Sequence, residues 1–145
     1  MHIFFDVDYT ILGGVDRSLR PLTHEVFTRL REDGHLVYVW SGEGERWGVV
    51  RGHDLTDLVS GVYGKPLSNY MSRLDEFKVP VVPDFVIDDY PGIVRCFGGI
   101  CIPEYYSRAY HAEDRALEQV YDTITVLASG ETPTHPWYYP TGSGS

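Results

Sequence analysis

Cysteine is almost absent from this chain. Cys96 and Cys101 are its only two among 145 residues, too few for a disulfide framework, and they fall at what reads as a helix end and the next strand. Each is therefore expected to be a small, reduced core residue. Zinc-ligand spacing is missing too: the six histidines form no cluster with each other or with the cysteines at the separations a zinc site uses. Long apolar runs are likewise lacking. Only Met1 to Phe5 precede the first aspartate, Asp6, far short of the apolar stretch of a secretory signal, and no segment approaches the length of a membrane span. The expectation is a cytoplasmic protein with no membrane partner. Basic residues are scarce as well: 12 Lys and Arg stand against 21 Asp and Glu, for a formal net charge of −9. The cations are scattered, so a nucleic-acid partner is disfavoured.

What is present is an alternation of short apolar runs with polar helical segments, the pattern of strands and helices around a parallel sheet in an α/β fold. A first strand reads His2-Ile3-Phe4-Phe5, and Gly13-Gly14 then suits a flap hairpin, since glycine accepts a positive φ. Pro21 opens a helix whose Leu22, Val26, Phe27 and Leu30 share one face, with Gly34 placed to close it. Leu36 to Trp40 reads as the second strand, Glu45 to Arg51 as a weak helix, and Leu58 to Val62 as the third strand. The spacing predicts a helix over Ser68 to Phe77, a doubly buried strand at Phe85-Val86-Ile87, a short helix from Pro91 and a fifth strand at Ile100 to Ile102. A last helix carries Leu117, Val120, Tyr121, Ile124 and Leu127, with Asp114 as its candidate cap. One domain over 1–128 is expected, followed by a Pro/Gly/Ser-rich tail over 129–145 in which Trp137, Tyr138 and Tyr139 are apolar enough to dock.

Polar groups appear where the apolar runs stop. Asp6-Val7-Asp8-Tyr9-Thr10 follows the first strand, Ser41-Gly42 the second, Lys65 the third and Asp88-Asp89 the fourth. An open parallel sheet binds ligands at the carboxyl ends of its strands, so the four clusters are expected to share one crevice. Four converging carboxylates repel strongly, since one like-charge pair about 4 Å apart costs on the order of 4 kcal/mol at an effective dielectric near 20. A hard, oxygen-preferring ion offsets this best, and Mg²⁺ suits a few carboxylates completed by water and phosphate. Lys65, the Ser41 hydroxyl and the Gly42 N–H add a positive charge and donors for the same anion.

These four segments, Ile3 to Thr10, Val37 to Gly42, Gly64-Lys65-Pro66 and Phe85 to Asp89, together resemble the four ordered motifs of the haloacid dehalogenase-like (HAD) hydrolase superfamily, over nearly everything from Met1 to about Ile102. The resemblance implies a three-layer Rossmann-like fold with a five-stranded parallel sheet and a reaction through an aspartyl-phosphate. Asp6 would be the nucleophile and Asp8 the acid–base partner. Mg²⁺ would be held by Asp6, the Asp8 backbone carbonyl and Asp88, with Asp89 direct or through water. Ser41, Gly42 and Lys65 would hold the transferring phosphoryl group, and Thr10 would fix the loop. Within the superfamily that the segments resemble, an aspartate at position 8 favours phosphomonoester hydrolysis or phosphoryl transfer over dehalogenation or ion pumping.

The intervals from Asp8 to Ser41 and from Lys65 to Asp88 leave no room for a cap domain. An uncapped phosphatase acts on large or bulky phosphorylated substrates, or gains a lid from a second subunit in a homo-oligomer. Val15, Asp16 and Arg17 on the flap, with Glu43, Glu45, Arg46 and Trp47 after Ser41, are expected to border the entrance. Two other classes compete: a catalytically silent HAD-like phosphoryl-binding module, and a signalling receiver, whose acidic pair and lysine come in a different order.

Overall fold

The computed structural model describes residues 1–143; Gly144 and Ser145, the end of the expected tail, lie outside the described residues. Strand β1 (His2–Asp6) leads through a wound loop to helix α1 (Thr23–Glu32), then β2 (Leu36–Ser41), α2 (Trp47–Gly52) and β3 (Gly61–Gly64). A long connection reaches β4 (Phe85–Asp88), followed by α3 (Pro91–Phe97), β5 (Gly99–Cys101), α4 (Arg108–His111), α5 (Ala116–Ala128) and β6 (Tyr138–Tyr139). The sheet order is β3-β2-β1-β4-β5-β6. The first five strands are parallel and β6 is antiparallel to β5.

β1 lies between β2 and β4, and its residues are buried on both faces, which is why its sequence is apolar without alternation. Ile3 and Phe5 face one core with Val26, Phe27 and Leu30 of α1 and Leu117, Val120 and Ile124 of α5. Phe4 faces the other core, with Trp40 of β2 and Ile93, Val94 and Phe97 of α3. Helices thus cover both faces of a mostly parallel sheet, an arrangement compatible with a Rossmann-like fold. Each of the larger buried side chains stabilises by roughly 1.5–3 kcal/mol relative to exposure. α1 ends as its sequence signals: Gly34 has φ 90, and the N–H groups of Gly34 and His35 donate to the carbonyls of Arg31 and Leu30.

Several elements depart from expectation, α1 among them: it starts at Thr23 rather than at Pro21, because Leu22 takes a left-handed φ of 74. The sheet has six strands rather than five, because Tyr138 and Tyr139, in the segment read as a tail, pair with Ile100 and Gly99. The third strand starts at Gly61 rather than Leu58, since Leu58 ends a 3₁₀ turn over Thr56–Leu58 that follows the fully buried Leu55. The helix expected over 68–77 is reduced to one 3₁₀ turn, Met71–Arg73. Left-handed backbone at Asn69 (φ 48) breaks its start and at Lys78 (φ 57) turns the chain directly after it, while Leu74 and Val79 turn into the second core. The flap hairpin has only a single Leu12–Leu19 bridge, and its positive φ falls on Arg17 (φ 59) rather than on Gly13 or Gly14. Gly14 is needed for space instead, because a Cβ there would lie 2.0 Å from the Tyr9 ring. Asp114 precedes α5 by two residues and still accepts from the Ala116 N–H at 3.1 Å. Among the described residues no helix is long and apolar enough to cross a membrane.

Candidate functional site

The strand order reverses direction between β1 and β4, so the chain leaves their carboxyl ends toward opposite sides and opens a crevice there. Asp6 is the last residue of β1 and Asp88 the last of β4. Both are buried, at 6% and 0% exposure, and Lys65, directly after β3, is buried beside them at 8%. The Lys65 Nζ donates to Asp6 Oδ1 and to Asp88 Oδ2, each at 2.8 Å. Asp88 Oδ1 accepts from the Tyr90 N–H at 3.0 Å, which leaves Asp88 fixed on both oxygens.

Asp6, Asp88 and Asp89 bring carboxylate oxygens within 4.8 Å of one another, a group that could hold a metal ion. At that separation each like-charge pair costs on the order of 3 kcal/mol or more at an effective dielectric near 20. One ammonium does not balance three carboxylates. Burial, hydrogen bonding with Asp6, and the charges of Asp6 and Asp88 push Asp89 up to about 8. Burial and the Asp6 charge push Asp88 up to about 6, against the pull of Lys65. Lys65 moves the other way from what burial dictates: the two carboxylates outweigh desolvation and hold the ammonium above the ordinary lysine range. A divalent cation in an oxygen cage would supply the missing positive charge, so the donor set fits a hard metal ion.

The loop after Asp6 is wound tightly. The N–H groups of Thr10, Ile11 and Leu12 all point to the Val7 carbonyl at 3.0–3.1 Å, and Tyr9 takes a left-handed φ of 65. This winding returns the Thr10 hydroxyl to Asp6 Oδ2, to which it donates at 3.1 Å. A second support lies behind it. Arg20, with a fully buried side chain, donates to the Thr10 carbonyl at 3.1 Å and grips both oxygens of Asp114 at 2.8 and 2.9 Å. Asp8 points elsewhere: both its oxygens accept from the Arg46 guanidinium, at 2.6 and 3.3 Å.

Ser41 ends β2, nearly sealed from solvent, and its hydroxyl accepts from the Glu43 N–H at 3.1 Å and from Arg46 at 3.3 Å. The Gly42 N–H donates to no acceptor of the described residues, a free donor on the wall of the cleft. That cleft has a volume of about 270 Å³ and is lined by Asp6, Asp8, Ser41, Gly42, Lys65 and Asp89, with Tyr9, Glu43 and Leu67 at its edges. Of the residues expected to carry the chemistry, Asp6, Asp8, Ser41, Gly42, Lys65 and Asp89 line this crevice, with Thr10 bonded to Asp6 and Asp88 to the Lys65 ammonium.

The entrance residues divide. Arg17, Glu43 and Arg46 line an adjoining pocket. Val15 is exposed, and Glu45 faces a separate hollow with Tyr63 and Phe77. Trp47 packs against the core with Arg51 over its ring, and Asp16 is consumed by the flap, where it accepts from Ser18 and from the Arg108 N–H. Those bonds hold the Asp16 carboxyl below its usual range. Sequence reasoning missed two contacts: the Arg20–Asp114 brace, for which the only local signal was the cap role of Asp114, and the Arg46 grip on Asp8. No protein-family model, curated protein or solved structure matches this chain.

Proposed function

We propose that the chain is a capless phosphatase of the HAD-like superfamily, a cytoplasmic Mg²⁺-dependent phosphomonoester hydrolase that works through an aspartyl-phosphate on Asp6. The observation that carries this reading is the convergence of Asp6, Lys65 and Asp88 from three strand ends, joined by two 2.8 Å bonds, with Asp89 within reach. The reading assigns the metal to the Asp6 carboxylate, the Asp8 backbone carbonyl and Asp88, with Asp89 direct or through water. When bound, the ion neutralises charge on the phosphoryl oxygens and draws electron density from phosphorus.

The protein's own groups do the rest. Asp6 attacks phosphorus through a carboxylate oxygen, and the bond from phosphorus to the leaving oxygen breaks as Asp8 passes a proton to that oxygen. Thr10 and Lys65 aim the Asp6 carboxylate, and one bond from each fixes one oxygen. Ser41, Gly42 and Lys65 donate to the phosphoryl oxygens, whose charge is spread in the transition state. Asp8 then takes a proton from the water that attacks the aspartyl-phosphate, which releases inorganic phosphate and restores Asp6.

The short connections on either side of the crevice support an uncapped site, suited to a bulky phosphorylated substrate or to a lid from a second copy of the chain. A silent phosphoryl-binding module and a receiver domain are separated from this reading by one assay. With a chromogenic phosphate monoester and Mg²⁺, phosphate release is expected, is lost on adding EDTA, and is lost in Asp6→Asn; turnover that survives in Asp6→Asn would remove the nucleophile.

A further inference from the structure

The reactive cleft is not alone at the end of the sheet. A second, polar pocket of about 560 Å³ is lined by Asp8, Tyr9, Gly14, Arg17, Glu43 and Arg46, and it shares Asp8, Tyr9 and Glu43 with the cleft. We infer that this pocket is an anion subsite, in which Arg46 and Arg17 hold a second negatively charged group carried by the substrate's leaving group. The inference rests on the phosphatase reading and deepens it by naming the substrate class: a phosphomonoester bearing a carboxylate or a second phosphate a few bonds from the ester.

Asp8 is the hinge of the argument. It stands on the wall common to both cavities, and the group that gives a proton to the leaving oxygen must lie beside that oxygen. The atoms attached to the leaving oxygen therefore extend past Asp8, into the pocket of the two arginines. An apolar hollow of about 260 Å³, lined by Pro66, Leu67, Tyr70, Tyr90 and Ile93, also adjoins the cleft, but it shares Lys65 and Leu67 with it and not Asp8. It is on the wrong wall for the leaving group.

The chemistry of the pocket fits an anion. The Arg46 side chain is only 15% exposed; NH1 and NH2 fork onto the two oxygens of Asp8 and NH1 also reaches the Ser41 hydroxyl, while its Nε–H donates to no acceptor of the described residues and is left for a further anion. A guanidinium held in that planar geometry is matched to a carboxylate or phosphate. Arg17 faces the same pocket with no ion-pair partner among the described residues. Its backbone takes φ 59, an arrangement that is unfavourable for a side chain with a Cβ and persists where its surroundings impose it. Here the surroundings are the Arg17 N–H bond to the Gly13 carbonyl at 2.9 Å and the Asp16 bonds to Ser18 and Arg108. Glu43 and Arg17 are both exposed and water screens both charges, so the nearly buried Arg46 is the stronger anchor of the pocket.

Three small esters of matched length test the proposal: ethyl phosphate, phosphoglycolate and ethylene glycol bisphosphate, assayed with Mg²⁺ for kcat/KM. Phosphoglycolate, ethylene glycol bisphosphate or both are expected to exceed ethyl phosphate by about tenfold or more, and the faster of the two tells whether a carboxylate or a phosphate is preferred. Arg17→Gln and Arg46→Gln are each expected to shrink that ratio severalfold. Equal kcat/KM for all three esters, or a preference that persists unchanged in both variants, would overturn the subsite while leaving the phosphatase intact. Turnover of none of the three, nor of a chromogenic monoester, would overturn the phosphatase reading and the subsite with it.

Discussion

Arg20 shows how much of the candidate site depends on residues that do not line its cleft. Its guanidinium is sealed from water, and among the described residues Asp114 is its one carboxylate partner, with the Tyr105 ring 5.5 Å away and a third bond to the Thr10 carbonyl. Removing one partner of a buried pair leaves the other charge uncompensated, which is more costly than losing a surface bridge. Asp114→Ala is expected to lower stability by about 3 kcal/mol or more, read as a shift in the urea midpoint. At the opposite extreme of role, Asp8→Asn keeps the shape of the loop and removes the proposed proton carrier. It is expected to lower kcat by about 10²-fold or more while the urea midpoint moves little; near-normal turnover in that variant would contradict the role given to Asp8. The difference in legibility between these residues is physical. Asp6, Ser41, Lys65 and Asp88 could be read from the sequence because each abuts a run of apolar residues, so that their meeting follows from strand order alone. Arg20 and Asp114 are 94 positions apart and neither ends a strand. Their pairing depends on how the flap packs against the start of α5, which no local pattern encodes.

At the scale of elements, the edge of the sheet is where pattern and structure part. β1, β2 and β4 were legible because strands buried on both faces leave continuous apolar runs. β6 has two residues, too few for any periodicity, and its stability comes from contact: Trp137 and Tyr138 pack on the first core and Tyr139 on the second. A chain ended after Gly130 would expose the open edge of β5 along with those patches, so a lower melting temperature and a greater tendency to aggregate are expected, measured by thermal denaturation and light scattering. Gly99 tests the same edge by a single atom. With φ 146, its added Cβ would stand 1.9 Å from the Val86 carbonyl oxygen of β4, and neither backbone has freedom to yield. Gly99→Ala is expected to destabilise the fold more than Gly44→Ala, which meets nothing within 4 Å although both have positive φ. The 68–77 segment was misread because its apolar residues have helical spacing, yet Asn69 and Lys78 turn left-handed so that Leu74 and Val79 can reach the core. Packing overrode local preference there.

For the molecule as a whole, folding gathers acidic groups that the unfolded chain keeps apart. Asp89 is raised from 3.8 to about 8 and Asp88 from 3.8 to about 6, so the folded state favours their protonated forms. Their contribution to stability is complete below the unfolded value and is lost as pH rises through about 6 and then about 8. In metal-free protein, the melting temperature of wild type relative to Asp89→Asn is therefore expected to fall as pH increases across that window. A bound cation removes the penalty, so added Mg²⁺ is expected to raise the melting temperature more at about pH 9 than at about pH 5. An equal effect at both values would mean that the cation binds elsewhere. The proposal places its nucleophile, Asp6, inside this charged cluster. The most direct test is to quench the protein with acid during incubation with a phosphate monoester, reduce it with borohydride and map any trapped acyl-phosphate by peptide mass spectrometry. The account expects the mark on Asp6, with none in Asp6→Asn; a mark on any other residue, or turnover by Asp6→Asn, would contradict it.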